Sequence, residues 1–114
     1  MPKISIIPLS ANKMWQGRRF RTKAYDDYER TLMLLLPPLK IDQKVKLELD
    51  IRVGLSSKLA DIDNICKPLI DILQKAYNFN DRNIYRLMAE KEIVKKGSEF
   101  IQFEIKKYEI RTIC

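Results

Sequence analysis

The sequence predicts an α+β fold, a single small domain in which two main helices pack on a mixed β-sheet in the order β-α-β-α-β-β. Two segments place apolar residues at helical spacing, and others alternate apolar and polar residues as half-buried strands do. Strands with one apolar face need a cover, which the two helices would supply from one side. A chain of 114 residues buries roughly two-thirds of its unfolded surface on folding. We therefore assign residues 1–114 to one domain.

The first half of the chain predicts a short strand, a loop and a helix. Residues 4–7 form the strand, and residues 8–21 form the loop because they show no sustained period and contain proline and glycine. Thr22 is a suitable helix cap, and Pro37 and Pro38 would stop the helix. Its apolar positions recur at helical spacing, at Tyr25, Tyr28, Leu32, Leu35 and Leu36.

The second half predicts a strand, a helix and two further strands. Residues 44–53 alternate strictly between apolar and polar side chains, as a half-buried strand does. A loop leads to an amphipathic helix that ends near Asn78, and a polar connection follows. Residues 84–95 have the β-branched and aromatic side chains of a strand, and a turn at Gly97 and Ser98 joins them to the last strand. We expect these strands to be partly connected as hairpins.

Composition excludes several classes of enzyme. The chain has no histidine, which rules out Ser-His-Asp triads, Cys-His pairs, histidine-bound zinc and an imidazole base within it. Its two cysteines, Cys66 and Cys114, belong to no metal-spaced motif and indicate a reducing compartment. The apolar runs are too short for a signal peptide or a membrane span. We therefore expect a soluble cytoplasmic protein with no organic cofactor and no membrane partner.

Positive charge is concentrated near the N-terminus. The formal net charge is +7, and residues 1–60 hold 12 basic against 6 acidic side chains. Residues 3–23 contain no acid, and Trp15 and Phe20 lie among their basic side chains. Such a surface suits nucleic-acid phosphates and base stacking, although a solvated basic loop has the same composition and Trp15 also suits a core position. The basic side chains are Lys3, Lys13, Arg18, Arg19, Arg21 and Lys23.

Two carboxylates flank one apolar residue where the second loop becomes the second helix. In an extended backbone Asp61 and Asp63 point to the same side, and Lys67 and Asp71 follow at successive helical turns. One interpretation is structural, in which Asp63 caps the helix and Lys67 bridges Asp63 and Asp71. It leaves Asp61 unexplained, since nearby carboxylates repel unless a cation or proton lies between them. We therefore predict a site for Mg²⁺ or Mn²⁺, which prefer oxygen ligands.

Other uses of paired aspartates fit less well. Counted from Asp61, the spacing places apolar residues where an EF-hand needs its ligands and its closing glutamate. An aspartyl-phosphate enzyme needs the pair after a buried strand of a larger parallel domain. A third metal ligand is expected, and Asp81 in the polar connection is a better candidate than Asp71 or Glu90.

Two separate groups of residues in this sequence together resemble the RusA family of Holliday junction resolvases, which are small endodeoxyribonucleases common in phages and prophages. One group lies in the predicted basic loop, and the other begins at the paired aspartates and continues to the last predicted strands. The residues that carry the resemblance are Pro8, Ser10, Asn12, Trp15, Asp61, Ile62, Asp63, Asn64, Lys67, Asp71, Leu73, Asn80, Asp81 and Ile84.

The resemblance implies that Asp61, Asp63 and Asp81 bind Mg²⁺, which Mn²⁺ can replace, and that Lys67 is essential for catalysis. It also implies a homodimer that binds four-way DNA junctions and nicks two opposing strands symmetrically, in DNA recombination and repair. The alternative is a non-catalytic junction-binding or DNA-binding module with a decayed metal site. The residues expected to bind DNA are Asn12, Lys13, Trp15, Arg18, Arg19, Arg21, Lys23 and Lys58.

Overall fold

The structure is a computed structural model that describes residues 2–17 and 20–110 of the chain. Two short 3-10 turns, Ala11–Lys13 and Asp81–Asn83, accompany the helices and strands. Within the described residues, no helix is long and apolar enough to cross a membrane. The elements, in chain order, are β1 (Ile4–Ser5), β2 (Trp15–Gln16), β3 (Phe20–Arg21), α1 (Lys23–Leu35), β4 (Leu47–Leu55), α2 (Ile62–Tyr77), β5 (Ile84–Ile93) and β6 (Phe100–Lys107).

Local side chains set the limits of both helices. The Thr22 hydroxyl accepts a hydrogen bond from the Tyr25 amide at 3.1 Å, which caps the start of α1. This helix ends shortly before Pro37, because proline cannot continue the helical hydrogen-bond pattern. At the end of α2, Asn78 adopts the left-handed conformation, with φ 55°, that commonly ends helices. The predicted cap of the first helix and the predicted ends of both helices are confirmed.

The main sheet is mixed, as predicted, and its strand order is β1-β6-β4-β5. In its centre, β4 pairs parallel with β5 and antiparallel with β6. A parallel pair needs a crossover connection, and α2 supplies it. The structure therefore confirms the α+β class, with two main helices beside a mixed sheet.

Two expectations about the connections are wrong. The last two strands do not form a hairpin, because residues 94–99 pass across the end of β4 and deliver β6 to its other side. The segment 8–21 is also more than a loop, since β2 and β3 pair antiparallel within it around Gly17, whose φ is +69°. The last two strands are separated because each of them pairs with β4, which is distant in the sequence. No local sequence pattern could have predicted this pairing.

The hydrophobic core lies between the two helices and one face of the sheet. Leu32 of α1, Leu69 of α2 and Val53 of β4 are fully buried members of this core. At the edge of the sheet, β5 is covered much less. Its apolar side chains Tyr85, Leu87, Met88 and Ile93 are each between 44% and 57% exposed. The structure thus leaves one long edge strand with apolar side chains open to solvent.

Glu48 lies on the predicted polar face of β4 but is only 2% exposed. The Lys106 ammonium lies 3.2 Å from its carboxylate, and the Arg86 guanidinium lies 3.6 Å away. These two cations come from β6 and β5, the strands on either side. Removing one partner of a buried charge is costly, so this group ties the three strands together.

A test of the sheet packing is the substitution Gly54→Ala. Gly54 pairs with Phe100 across β4 and β6, and a Cβ at residue 54 would overlap the buried Phe100 ring. We expect a loss of about 1–3 kcal/mol in the free energy of unfolding, because an added methyl in a tight contact forces neighbours to move. Urea unfolding measures the change. The cost should be smaller in a Phe100→Leu background, and equal costs in both backgrounds would contradict the contact.

Candidate active site at the start of the second helix

The paired aspartates lie at the N-terminus of α2. Asp61 occupies the cap position with an extended backbone, but its side chain makes no capping hydrogen bond. Asp63 lies in the first helical turn. The sequence-based assignment of the cap to Asp63 is therefore wrong, because the helix starts at Ile62. The cap role does not occupy either carboxylate.

The ion pairs that Lys67 could make with Asp63 and Asp71, which the sequence suggested, are not formed among the described residues. Asp61, Asp63 and Lys67 are exposed, and none of them forms an ion pair within residues 2–17 and 20–110. Asp71 instead pairs with Arg21, with Oδ2 and Nη2 3.6 Å apart. Lys67 does not bridge Asp63 and Asp71, so its ammonium is available to a ligand.

Cys66 lies between these residues in sequence but faces the core. It is 4% exposed, and burial raises the pKa of its thiol, with a smaller contribution from the Asp63 carboxylate nearby. A thiol with a raised pKa is a poor nucleophile and a poor metal ligand at neutral pH. Cys66 therefore serves to pack α2 against the core.

Asp81 lies at the other end of α2. Its backbone amide donates a hydrogen bond of 2.9 Å to Oε1 of Gln74, in the last turns of the helix. Gln74 follows Asp61 by 13 positions in the sequence, which corresponds to about 20 Å along a helix. The structure brings Asp61, Asp63 and Lys67 to one helix end and leaves Asp81 at the opposite end.

The start of α2 has oxygen donors of the kind that a divalent metal ion prefers. Asp61 and Asp63 offer exposed carboxylates without a cation partner among the described residues, which suits a hard divalent ion. Over the same part of the chain, no three acidic or thiol side chains lie close enough together to hold a metal ion. The donor chemistry of these two carboxylates therefore fits Mg²⁺ or Mn²⁺.

The β2–β3 hairpin holds the basic segment against both helices. The Arg21 guanidinium lies 4.0 Å from the ring centre of Trp15 and 4.3 Å from that of Tyr25. It also pairs with Asp71 of α2. Trp15 is 46% exposed, so it is not a core residue. Its ring is held in position by stacking on the Arg21 guanidinium. Arg21 thus anchors the hairpin as well as adding positive charge.

The other expected DNA-binding residues are spread over nearby surface. Asn12 and Lys13 lie in an exposed 3-10 turn, and the Lys13 carbonyl accepts a hydrogen bond from the Thr22 hydroxyl. Lys23 is exposed and lies 3.6 Å from the Asp27 carboxylate, and Lys58 is exposed in the loop before Asp61. Arg18 and Arg19 lie outside the described residues.

One residue beside this site was not singled out from the sequence. The Lys91 ammonium of β5 donates hydrogen bonds to the carbonyls of Lys58 and Ala60, at 3.2 and 3.0 Å. It therefore holds the loop that leads into Asp61. The sequence does contain a signal that could have identified Lys91. Leu87, Ala89 and Ile93 alternate along one side of the strand as apolar residues, and Lys91 is the charged residue that interrupts this row.

Comparison with known proteins supports the resemblance seen in the sequence. A family model described as endodeoxyribonuclease RusA matches residues 8–106, a range that includes both helices, β2 to β5, nearly all of β6 and both paired aspartates. A search of curated proteins finds no match.

A test of the hairpin anchor is the substitution Arg21→Met. It removes two ring contacts and the pair with Asp71, so we expect a loss of about 1–2 kcal/mol in the free energy of unfolding. Trp15 is the only tryptophan of the chain, so its fluorescence reports on the hairpin directly. We expect its emission to shift to longer wavelength. Lys23→Met, which removes an exposed charge nearby, serves as the control, and identical spectra for both variants would contradict the stacking.

Proposed function

Because the chain belongs to the RusA family of endodeoxyribonucleases, we propose that it resolves four-way DNA junctions by Mg²⁺-dependent hydrolysis of two opposing strands, in DNA recombination and repair. The main observation behind this proposal is that Asp61 and Asp63, at the start of α2, form no ion pair among the described residues. Acids that face a polyanion are unfavourable unless a cation binds there. A non-catalytic DNA-binding module, the alternative, has no need of them.

The residues of this site have distinct roles in the proposal. Asp61 and Asp63 hold the divalent ion, Mg²⁺ or Mn²⁺. When bound there, such an ion would supply an activated water and a positive charge opposite the leaving oxygen. Lys67, one turn after Asp63, places its unpaired ammonium next to the scissile phosphate and stabilises the charge that develops there. This chemistry needs no imidazole, in keeping with a sequence that contains no histidine.

DNA binding is assigned to the basic surface on the hairpin side. Lys13, Lys23 and Lys58 contact backbone phosphates, and their contribution falls as salt rises. Trp15 and Phe20, which are 46% and 70% exposed, offer rings for stacking on bases opened at a junction. The remaining expected contacts are Asn12, Arg18, Arg19 and Arg21.

The position of Asp81 supports a homodimer. Within one chain Asp81 lies too far from Asp61 and Asp63 to share an ion with them, since α2 separates the two ends. A second copy can supply the third carboxylate. The exposed edge of β5 offers the surface for such pairing, because its apolar side chains are about half exposed and its outer side has no strand partner among the described residues.

Antiparallel pairing of two β5 strands has the required direction. In one chain β5 runs parallel to β4. Asp81 comes just before β5 and Asp61 comes after β4, so the two residues lie at opposite ends of this strand pair. When two β5 strands pair antiparallel, the start of one lies beside the end of the other. Asp81 of each copy then approaches Asp61 and Asp63 of the other. A two-fold dimer of this kind presents two equivalent sites to two equivalent DNA strands.

The reaction is tested on a synthetic four-way junction with and without Mg²⁺. We expect the parent protein to make paired, symmetric nicks only when Mg²⁺ is present. For Asp61→Asn and Asp63→Asn we expect a nicking rate at least about 100-fold lower. The reason is that a metal stabilises the transition state by several kcal/mol, and 1.36 kcal/mol changes a rate tenfold. Asp26→Asn, an exposed acid of α1, is the matched control. If the parent binds the junction without cutting it, the protein is the DNA-binding module instead.

Shared sites are tested by mixing two inactive variants. If Asp81 acts across the dimer, a mixed dimer of Asp61→Asn and Asp81→Asn contains one site with both changes and one intact site. We expect the mixture to nick one strand per dimer although each variant alone is inactive. If Asp81 served its own chain, both sites of the mixed dimer would carry a change and the mixture would stay inactive. Denaturing gels with each strand labelled separately distinguish these results.

A further inference from the structure

We propose that Lys91 is a positioning residue that fixes the backbone before Asp61 and so sets the metal affinity of the site. The inference rests on the proposed function and adds a residue from outside the motif to it. Lys91 lies on β5, and the hydrogen bonds of its ammonium are made to the loop between β4 and α2, which ends at Asp61.

The geometry of the contact carries the inference. Two of the three N–H groups of the Lys91 ammonium bind carbonyl oxygens of Lys58 and Ala60, at 3.2 and 3.0 Å. Ala60 directly precedes Asp61, so the second hydrogen bond fixes the peptide group next to the cap residue. A hydrogen bond with a charged donor is about twice as strong as one between neutral groups.

The part of this loop next to Asp61 has few other hydrogen bonds among the described residues, although Ala60 also packs against the core. Lys58 and Leu59 are exposed, Leu59 to 92%. Asp61 makes no side-chain capping bond that would fix its own backbone. The Leu59 amide donates a local hydrogen bond to the Ser57 hydroxyl, and at the start of the loop the Ser56 side chain bonds that of Glu99, just before β6. Among the hydrogen bonds of the described residues, those of Lys91 tie the backbone of Lys58 and Ala60 to β5.

The position of Lys91 on the strand also needs an explanation. Lys91 pairs in register with Val53, which is fully buried on the helix side of β4. Its neighbours along the same side of β5, Ala89 and Ile93, are apolar. Lys91 therefore interrupts an apolar row, and its ammonium instead binds the carbonyls of Lys58 and Ala60.

The test compares Lys91→Met, Lys91→Arg and Lys40→Met. Methionine keeps the length and apolar part of the side chain, arginine keeps the donors, and Lys40 is an exposed lysine in the loop before β4. Binding of Mn²⁺ to the protein without DNA is measured by electron paramagnetic resonance. We expect Lys91→Met to weaken Mn²⁺ binding about 10- to 100-fold, as loss of an outer contact to a metal site does. Lys91→Arg should recover most of the affinity, and Lys40→Met should match the parent.

Further measurements separate positioning from other roles. In the nicking reaction Lys91→Met should need about 10- to 100-fold more Mg²⁺ for half-maximal rate, while the rate at saturating Mg²⁺ changes little. Thermal unfolding and sedimentation of each variant show whether fold and assembly are retained. A loss of stability with unchanged Mn²⁺ affinity would overturn the proposal and leave Lys91 a structural residue.

Two other outcomes would also overturn it. If Lys91→Met weakens junction binding in metal-free buffer and leaves Mn²⁺ affinity unchanged, Lys91 is a DNA contact. If the parent itself neither binds Mn²⁺ nor cuts junctions, the proposed function fails together with the role of Lys91. The failure of the function therefore appears in the parent, and the failure of this inference alone appears only in the variants.

Discussion

The parallel pairing of β4 and β5 is the constraint on which the rest of the structure depends. Parallel neighbours cannot be joined by a tight turn, so the chain must return along the sheet before it starts the second strand. The 16-residue helix α2 makes this return. It places the residues after β4 and the residues before β5 at opposite ends of the sheet, and it buries its apolar side chains on the sheet as it passes.

This constraint separates two parts of one sequence motif. Asp61 and Asp63 begin the crossover helix, and Asp81 follows its end. Residues that are neighbours in a motif are therefore about a helix length apart in the folded chain. If these acids share a divalent ion, as proposed above, its ligands must lie within a few ångströms of it, and a second chain would have to supply Asp81. The open edge of the described sheet lies on β5, the strand that Asp81 leads into, so the proposed pairing of two copies would use the strand next to this acid.

Local signals predicted the helices well and the connections poorly. Thr22 and Asn78 act through contacts within a few residues, so their effect is readable from the sequence. The partners of β5 and β6 are chosen by β4, far away in sequence, and a turn at Gly97 looks the same whether it closes a hairpin or crosses a neighbouring strand. The acids of the site were readable as a motif, but the stacking of Arg21 and the ties made by Lys91 depend on which elements meet.

The charges on β5 bear on a different problem, that of unwanted association. A long strand with an open edge is a template for any extended chain, and apolar side chains on it increase the risk of aggregation. This strand carries both signs of charge, at Arg86, Glu90, Lys91 and Glu92. Strands that pair in a wrong register bring like charges face to face, which destabilises them. The same edge can thus accept one partner in one register and discourage the polymers that a purely apolar edge would seed.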